Sequence, residues 1–132
     1  MRSDARRSAT LFKPSDAALK ASEKLAWIAI LENARLAQSF VAGMDAEQFA
    51  RDRRTFYAVT RCLEIISEAA RALRGDEQAR NPELEWRQIE DSGNAFRHAY
   101  HAVAEIRVWT TVKERLPALV SAAEEALSDQ AD

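Results

Sequence analysis

The chain of 132 residues contains one cysteine, Cys62. A single thiol excludes an intrachain disulfide and a zinc site built from several thiolates. The longest apolar run, residues 25–31, is far shorter than the roughly 20 residues that a membrane-spanning helix needs. The N-terminal residues include Arg2, Arg6 and Arg7 but no apolar stretch after them, so we expect that they are not a secretory signal. We therefore expect a soluble, cytoplasmic protein without a membrane segment.

Glycine and proline are also scarce, at three residues each. The chain is instead rich in alanine and in straight side chains, which lose little conformational freedom in a helix. No stretch alternates between apolar and polar residues, so we expect no strand. The sequence predicts an all-α fold, an antiparallel up-down bundle of about four to five helices. Residues 1–14 are predicted to be a flexible N-terminal arm, and residues 15–132 the bundle domain.

Neither sign of charge dominates. The 19 lysines and arginines nearly balance the 21 aspartates and glutamates, which gives a formal net charge of −2. Net charge alone therefore does not indicate a nucleic-acid partner. Contact with such a partner would have to come from local clustering of basic residues or from a groove between two subunits.

Two long helices are predicted in the first half of the chain. The first covers about residues 16–42, with one apolar face formed by Trp27, Ile30, Leu31, Ala34, Ala37 and Val41. The second begins at Asp45, which forms a capping-box pattern with Gln48, and ends near Gly75. Its apolar residues have heptad spacing and indicate either the core or a dimer seam: Phe56, Val59, Leu63, Ile66, Ala70 and Leu73.

The second half is predicted to hold two more helical regions after a polar loop at residues 76–81. Asn81 followed by Pro82 is typical of a helix start. The region that follows should bend or break at residues 91–93, which are weak helix formers. A last helical region covers about residues 104–127 and should kink at Pro117. Its inward residues are predicted to be Ile106, Trp109, Val112, Leu116, Leu119 and Ala123.

The segment GNAFRHAYHAV, residues 93–103, contains both histidines of the chain. In a helix with about 100° per residue, Asn94, Arg97, His98 and His101 share one face. A helix that only fills a core would not gather these residue types on one side. The simpler interpretation is that His98 and Arg97 form ordinary surface hydrogen bonds or ion pairs, and that Asn94 braces the helix after the break.

These side chains suit phosphodiester cleavage. A neutral imidazole can remove a proton from a ribose 2′-hydroxyl, and an imidazolium can protonate the leaving oxygen. A guanidinium can pair with phosphate oxygens and stabilise the charge of the transition state. The reaction needs no metal, and two histidines three residues apart without a carboxylate are a weak metal signal. We therefore predict no metal and no cofactor.

The chain resembles a known family in an ordered set of three motifs, the last of which is this segment. These are LEIISEAARAL with Glu68, NPELEWRQI with Trp86 and Ile89, and GNAFRHAYH. The set resembles the HepT-like family of the HEPN superfamily, whose pattern is Arg-Asn-x-Leu-x-His-x-Tyr. The resemblance covers about residues 24–127. Asn94, Phe96, His98 and Tyr100 fall on the family's Asn, Leu, His and Tyr positions, whereas Gly93 stands at its Arg position.

The resemblance implies a HEPN-like bundle that forms a homodimer and cleaves RNA from a groove between its subunits. It also implies a toxin of a type VII-like toxin–antitoxin module, with a nucleotidyltransferase of the minimal (MNT) type as antitoxin. Tyr100 stands where some members receive AMP from that transferase. His98 would be the acid and base, Arg97 and His101 phosphate ligands, and Asn94 an orienting residue.

Alternatives remain open for the activity of the chain and for the role of Glu68. Arg97 could supply the guanidinium that Gly93 lacks. The chain could instead be an inactive helical adaptor that binds the nucleotidyltransferase or a nucleotide. Glu68 could brace a catalytic side chain across the bundle, or it could simply be solvated.

Overall fold

The structure, a computed structural model, describes residues 18–94 and 101–129, with only the backbone of residues 101 and 102. The predicted arm, residues 1–14, lies outside these ranges. The described α-helices are α1 (Ala21–Phe40), α2 (Ala46–Arg51), α3 (Arg53–Arg71), α4 (Asp76–Arg80), α5 (Trp86–Asp91), α6 (His101–Thr110) and α7 (Leu116–Ser128). A 3₁₀ turn, Ser92–Asn94, follows α5, and a π-helical turn, Thr111–Arg115, joins α6 to α7. These ranges contain no strand, and the all-α bundle is confirmed.

The core lies where α1 packs against α3 and α7. All six residues of the predicted heptad stripe, five on α3 and Leu73 just after its end, are buried within the one chain, so the stripe belongs to the core and not to a dimer seam. From α1, Trp27 and Ile30 are fully buried. The ring of Trp27 meets that of Trp86 edge to face at 6.0 Å. No helix in the two described ranges is long and apolar enough to cross a membrane.

The predicted second helix is in fact two helices, α2 and α3, which meet at Asp52. The capping box is confirmed, because Asp45 and Gln48 exchange backbone-to-side-chain hydrogen bonds of 2.8 and 2.9 Å. The single helix is wrong because Asp52 caps α3 instead of continuing α2. Its carboxylate accepts from the backbone N–H and hydroxyl of Thr55, at 3.0 and 2.8 Å. These bonds hold the pKa of Asp52 below its usual value.

The predicted polar loop at residues 76–81 is wrong, since α4 occupies Asp76–Arg80. Tertiary contacts stabilise this short helix. The carboxylate of Glu77 is buried, accepts a 2.9 Å hydrogen bond from Trp27 Nε1 and pairs with Arg80. Asn81 ends α4, and the predicted helix start at Asn81–Pro82 is also wrong, because α5 begins at Trp86.

The break predicted at residues 91–93 and the distortion predicted at Pro117 are both confirmed, as the 3₁₀ turn and the π turn. Proline lacks the N–H that an α-helix needs, so a local change of helical pitch ahead of Pro117 relieves the conflict. The predicted inward position of Ile106 is wrong, because its side chain is 66% exposed. Ala104 and Val108, eight and four residues before Val112, are buried instead.

Candidate functional site

Glu90 fastens α5, the helix that precedes the 3₁₀ turn, to its neighbours. The carboxylate of Glu90 is almost fully buried, pairs with Arg74 and accepts a 2.8 Å hydrogen bond from Gln78 Nε2. The hydrogen bond from Arg74 is the main cause of a lowered pKa for Glu90. The main-chain carbonyl of Glu90 accepts from Arg71 Nη2 at 3.1 Å. Since α3 and α4 both hold Glu90, the position of the following turn is fixed.

Ser67 of α3 connects to this turn through a buried hydroxyl. The backbone N–H of Gly93 donates to Ser67 Oγ at 2.7 Å. The same oxygen lies 3.1 Å from the carbonyl of Ile89, to which it donates, and 3.3 Å from the hydroxyl of Ser92. One carbonyl of α5 and two groups of the 3₁₀ turn therefore converge on a single side chain of α3.

Gly93 is required by close packing against α3. A Cβ atom at this position would lie 2.7 Å from Ser67 Oγ and 3.0 Å from the Cα of Glu64. Real Cβ atoms essentially never show the first distance, and the second is tighter than nine in ten real Cβ contacts. The φ angle of Gly93 is not in the left-handed region, so its backbone conformation is open to other residues. A side chain at residue 93 would therefore force the turn away from α3.

Asn94, the last residue of the turn, lies where two grooves meet. We call the first the α3 groove, of about 530 Å³, lined by Ala29, Arg61, Glu64, Ile65, Ser67, Glu68, Ala69, Arg71, Gly93 and Asn94. We call the second the α6 groove, of about 620 Å³, lined by Gln88, Asp91, Ser92, Asn94, Ile106, Arg107, Thr110, Thr111 and Arg115. Both volumes are in the range of small-molecule sites.

The two arginines of the α3 groove are held in different ways. Arg61 is largely exposed and pairs with Glu64 at 3.1 Å. Arg71 is about a third exposed, lies 3.6 Å from Glu68 and is anchored by its bond to the carbonyl of Glu90. The second guanidinium is therefore fixed relative to the turn that carries Asn94.

The α6 groove has a wall of hydroxyl and guanidinium groups. Arg115 pairs with Glu85 at 3.2 Å. Thr111 donates its hydroxyl to the carbonyl of Arg107 at 2.9 Å. No described residue forms an ion pair with the side chain of Arg107.

The start of α6 is tied to α3 by Arg53. Arg53 Nη1 donates to the carboxylate of Glu105 at 2.8 Å, and its guanidinium lies over the ring of Tyr57, 5.1 Å from the centroid. Glu105 is one helical turn after His101, the first residue of α6. This ion pair therefore fixes the helix that begins directly after the RHAY stretch.

The structure brings together two of the residues that the sequence singled out. Asn94 and Glu68 line the same groove, and the carboxylate of Glu68 is exposed beside Arg71. Arg97, His98 and Tyr100 lie outside the described residues, as does the side chain of His101. In the described ranges, no group of three or more His, Cys, Asp and Glu side chains could hold a metal ion.

Sequence reasoning missed Ser67 and Arg71. Ser67 is a small polar residue between Ile66 and Ala70 of the apolar stripe, and a buried hydroxyl needs a hydrogen-bond partner. Arg71 follows it by four residues and therefore shares its helical face. Neither signal identifies the partner, since Gly93 is 26 residues away from Ser67 in sequence.

The family model described as "Ribonuclease HepT-like" matches residues 30–126, which include Glu68, Asn94 and the whole RHAYH stretch. The chain belongs to the HepT-like ribonuclease family. The predicted family is thereby confirmed, and the matched range includes every lining residue of both grooves except Ala29.

Individual relatives agree with the family match. A protein of Thermococcus cleftensis named "Probable ribonuclease HepT" is 37% identical over 90 residues, which are 68% of this chain and 82% of the relative. A Methanocaldococcus jannaschii protein named "Putative RNase" is 34% identical over 88 residues, 67% of this chain and 81% of its own. No solved structure matches this HepT-like chain.

Proposed function

We propose that this HepT-like protein is an endoribonuclease that cleaves RNA without a metal, with His98 as its acid and base. One observation carries the proposal: Asn94 lies where two grooves meet, directly ahead of the segment that holds Arg97 and His98. Family membership and the RNase names of the relatives support RNA as the substrate. Like its substrate, the protein would act in the cytoplasm.

The proposed reaction needs a base, an acid and phosphate-binding groups, and residues of this chain can supply all of them. Neutral His98 removes the proton of a ribose 2′-hydroxyl, and the 2′-oxygen then bonds to the adjacent phosphorus. The bond from phosphorus to the 5′-oxygen breaks, and an imidazolium protonates that oxygen. His101 is the candidate for this second proton or for phosphate binding. Arg97 stabilises the charge on the phosphate oxygens, and the amide of Asn94 orients the phosphate.

We further propose a homodimer formed through the outer face of α1. Leu25 and Leu36 are 66% and 45% exposed, and Phe40 is 38% exposed, which is unusual for large apolar side chains in the same helix. Leu25 and Leu36 lie four residues before and seven after Ala29, and therefore on its helical face. Because Ala29 lines the α3 groove, a partner on this face would extend the groove across the dimer.

We also propose that the protein is the toxin of a two-gene module whose antitoxin is a minimal nucleotidyltransferase. AMP added to Tyr100 would place negative charge two residues after His98 and hinder the binding of RNA phosphates. Mass spectrometry of the protein co-expressed with the transferase tests this. An unmodified peptide containing Tyr100 would remove the modification from the proposal.

A second candidate is an inactive adaptor that binds the nucleotidyltransferase or a nucleotide, with Glu68 solvated instead of bracing the site. The packing of Gly93 favours it. The family pattern has Arg at this position, and a Cβ atom there would lie 2.7 Å from Ser67 Oγ and 3.0 Å from the Cα of Glu64, so a side chain fits only if the turn or α3 shifts. If the protein is such an adaptor, it binds its partner but does not cleave RNA.

His98→Ala distinguishes the two candidates. We expect this variant to lose growth inhibition and to lower RNA cleavage by about two to four orders of magnitude. Size-exclusion chromatography and circular dichroism should show the dimer and helical content of the parent protein. Arg87→Ala is a matched control, because Arg87 is exposed on α5 and lines neither groove. Equal cleavage by His98→Ala and the parent protein would refute the catalytic assignment.

A further inference from the structure

The packing of Gly93 raises the question of which described guanidinium can reach a phosphate beside Asn94. Residue 93 has no side chain, and a Cβ atom there would overlap Ser67 Oγ, so positive charge in the α3 groove must come from another residue. Arg61 and Arg71, both on α3, are the arginines that line this groove. Arg71 contacts α5, which leads to Asn94, whereas Arg61 contacts only its own helix among the described residues.

We infer that Arg71 is a phosphate-binding residue of the α3 groove, and this inference rests on the proposed function. Ser67 and Arg71 are four residues apart on one face of α3, so Arg71 lies one turn from the contact that holds Gly93. Its Nη2 atom donates to the carbonyl of Glu90, in the helix that leads into the turn. This hydrogen bond therefore holds the guanidinium of Arg71 in a fixed position relative to the backbone that precedes Asn94.

The remaining donors of Arg71 can serve an anion. A guanidinium has five N–H donors in a planar fork, and the bond to Glu90 uses one of them. The neighbouring carboxylate of Glu68 lies at 3.6 Å, which is beyond a good hydrogen bond, and its side chain is 83% exposed. A phosphate can therefore replace Glu68 without breaking a buried pair, since Glu68 can turn into solvent.

Arg61 fits this role less well. Its side chain is 71% exposed and forms a hydrogen bond with Glu64 on the same helix, at 3.1 Å. Among the described residues, Arg61 has no hydrogen bond to α5, so nothing there fixes its guanidinium relative to Asn94. Binding a phosphate would require this mobile side chain to be ordered, which lowers the net gain.

The test is RNA affinity as a function of salt, measured in the His98→Ala background so that the RNA stays intact. The probe is a labelled single-stranded RNA of mixed sequence. For Arg71→Gln we expect a loss of affinity of about ten- to a hundredfold. We also expect the slope of log affinity against log salt to fall by about one, as for the loss of one phosphate contact. Arg71→Lys keeps the charge and should keep the slope.

Arg87→Gln is the matched control and should leave both quantities unchanged. A purely structural role for Arg71 would lower the melting temperature without changing the salt slope, and that result would overturn the inference. If the parent protein and its His98→Ala variant bind no RNA, the proposed function fails and the inference fails with it. If they bind RNA and Arg71→Gln keeps the full slope, only the inference fails.

A second measurement needs no variant. Phenylglyoxal modifies accessible arginines, and mass spectrometry can follow each one in the full chain. We expect bound RNA to protect Arg71 and to leave Arg87 reactive. Equal modification of Arg71 with and without saturating RNA would overturn the inference even if Arg71→Gln does not fold.

Discussion

The two grooves that meet at Asn94 differ in how their walls are held. In the α3 groove, the hydroxyl of Ser67 fixes the 3₁₀ turn, and the carbonyl of Glu90 fixes Arg71. In the α6 groove, Arg107 has no ion pair with a described residue, and Ile106 is 66% exposed. The α3 groove therefore has one guanidinium, that of Arg71, held against the neighbouring helix, whereas Arg107 of the α6 groove is exposed.

This difference suggests separate roles for the two grooves. Chemistry on a phosphate benefits from donors that need no reorganisation when charge develops, which the α3 groove offers. Binding of a varied RNA strand tolerates adaptable contacts, and hydroxyls with a loosely held guanidinium provide them. We therefore assign the reacting phosphate to the α3 groove and flanking nucleotides to the α6 groove.

The largest expected effect follows from a methyl group at residue 93. Gly93→Ala should lower the free energy of unfolding by about 1–3 kcal/mol, because the new Cβ would overlap Ser67 and Glu64. Urea unfolding followed by circular dichroism measures this. In the α6 groove, Thr110→Ala is a matched change and should stay within about 0.5 kcal/mol of the parent.

A double variant locates the overlap. Ser67→Gly removes the hydroxyl and Cβ, which lie 2.7 and 3.1 Å from the place that a methyl group at residue 93 would occupy. Gly93→Ala should therefore cost less in that background. Equal costs in both backgrounds would contradict the account of a locked wall.

A smaller, pH-dependent effect is expected at Glu90. Its pKa is lowered chiefly by the hydrogen bond from Arg74, so its contribution to stability is present above the pKa of an unfolded glutamate, about 4.3. Glu90→Gln should cost about 1.5 kcal/mol near pH 7. The difference from the parent should shrink as the pH falls below that unfolded value and through the lowered pKa of the folded carboxylate, which then takes up its proton. A difference that persists unchanged at low pH would show that the charge of Glu90 is unimportant.

The smallest effect is expected in the adaptable groove. Arg107→Gln should weaken RNA binding by less than about fivefold, as for an exposed charge pair. The measurement is the salt titration used for Arg71→Gln, with Arg87→Gln as the common control. A loss as large as that of Arg71→Gln would reverse the assignment of the two grooves.

Periodicity predicted the regular parts of this fold. The heptad stripe of α3 is buried as expected, because its six residues follow one helical period without interruption. The break at Asp52 was missed because an aspartate within an apolar period can equally continue a helix or cap the next one. The short helix α4 was missed because Glu77 is held by Trp27, which is 50 residues away.

The candidate site was predicted only in part for a related reason. The sequence identified Asn94, Glu68 and the RHAYH stretch through residue types and family pattern. From the sequence, Gly93 was interpreted as a weak helix former, whereas in the structure it allows the turn to approach α3 closely. The hydrogen bonds that fix Arg71 and Gly93 join segments 19 and 26 residues apart, and local patterns do not encode such contacts.

The most direct test of the central claim is analysis of the RNA ends that the parent protein produces in the presence of EDTA. Attack by the 2′-oxygen predicts 2′,3′-cyclic phosphate and 5′-hydroxyl ends, at a rate that the chelator does not change. Products with 3′-hydroxyl and 5′-phosphate ends, or cleavage that stops when EDTA is added, would contradict it.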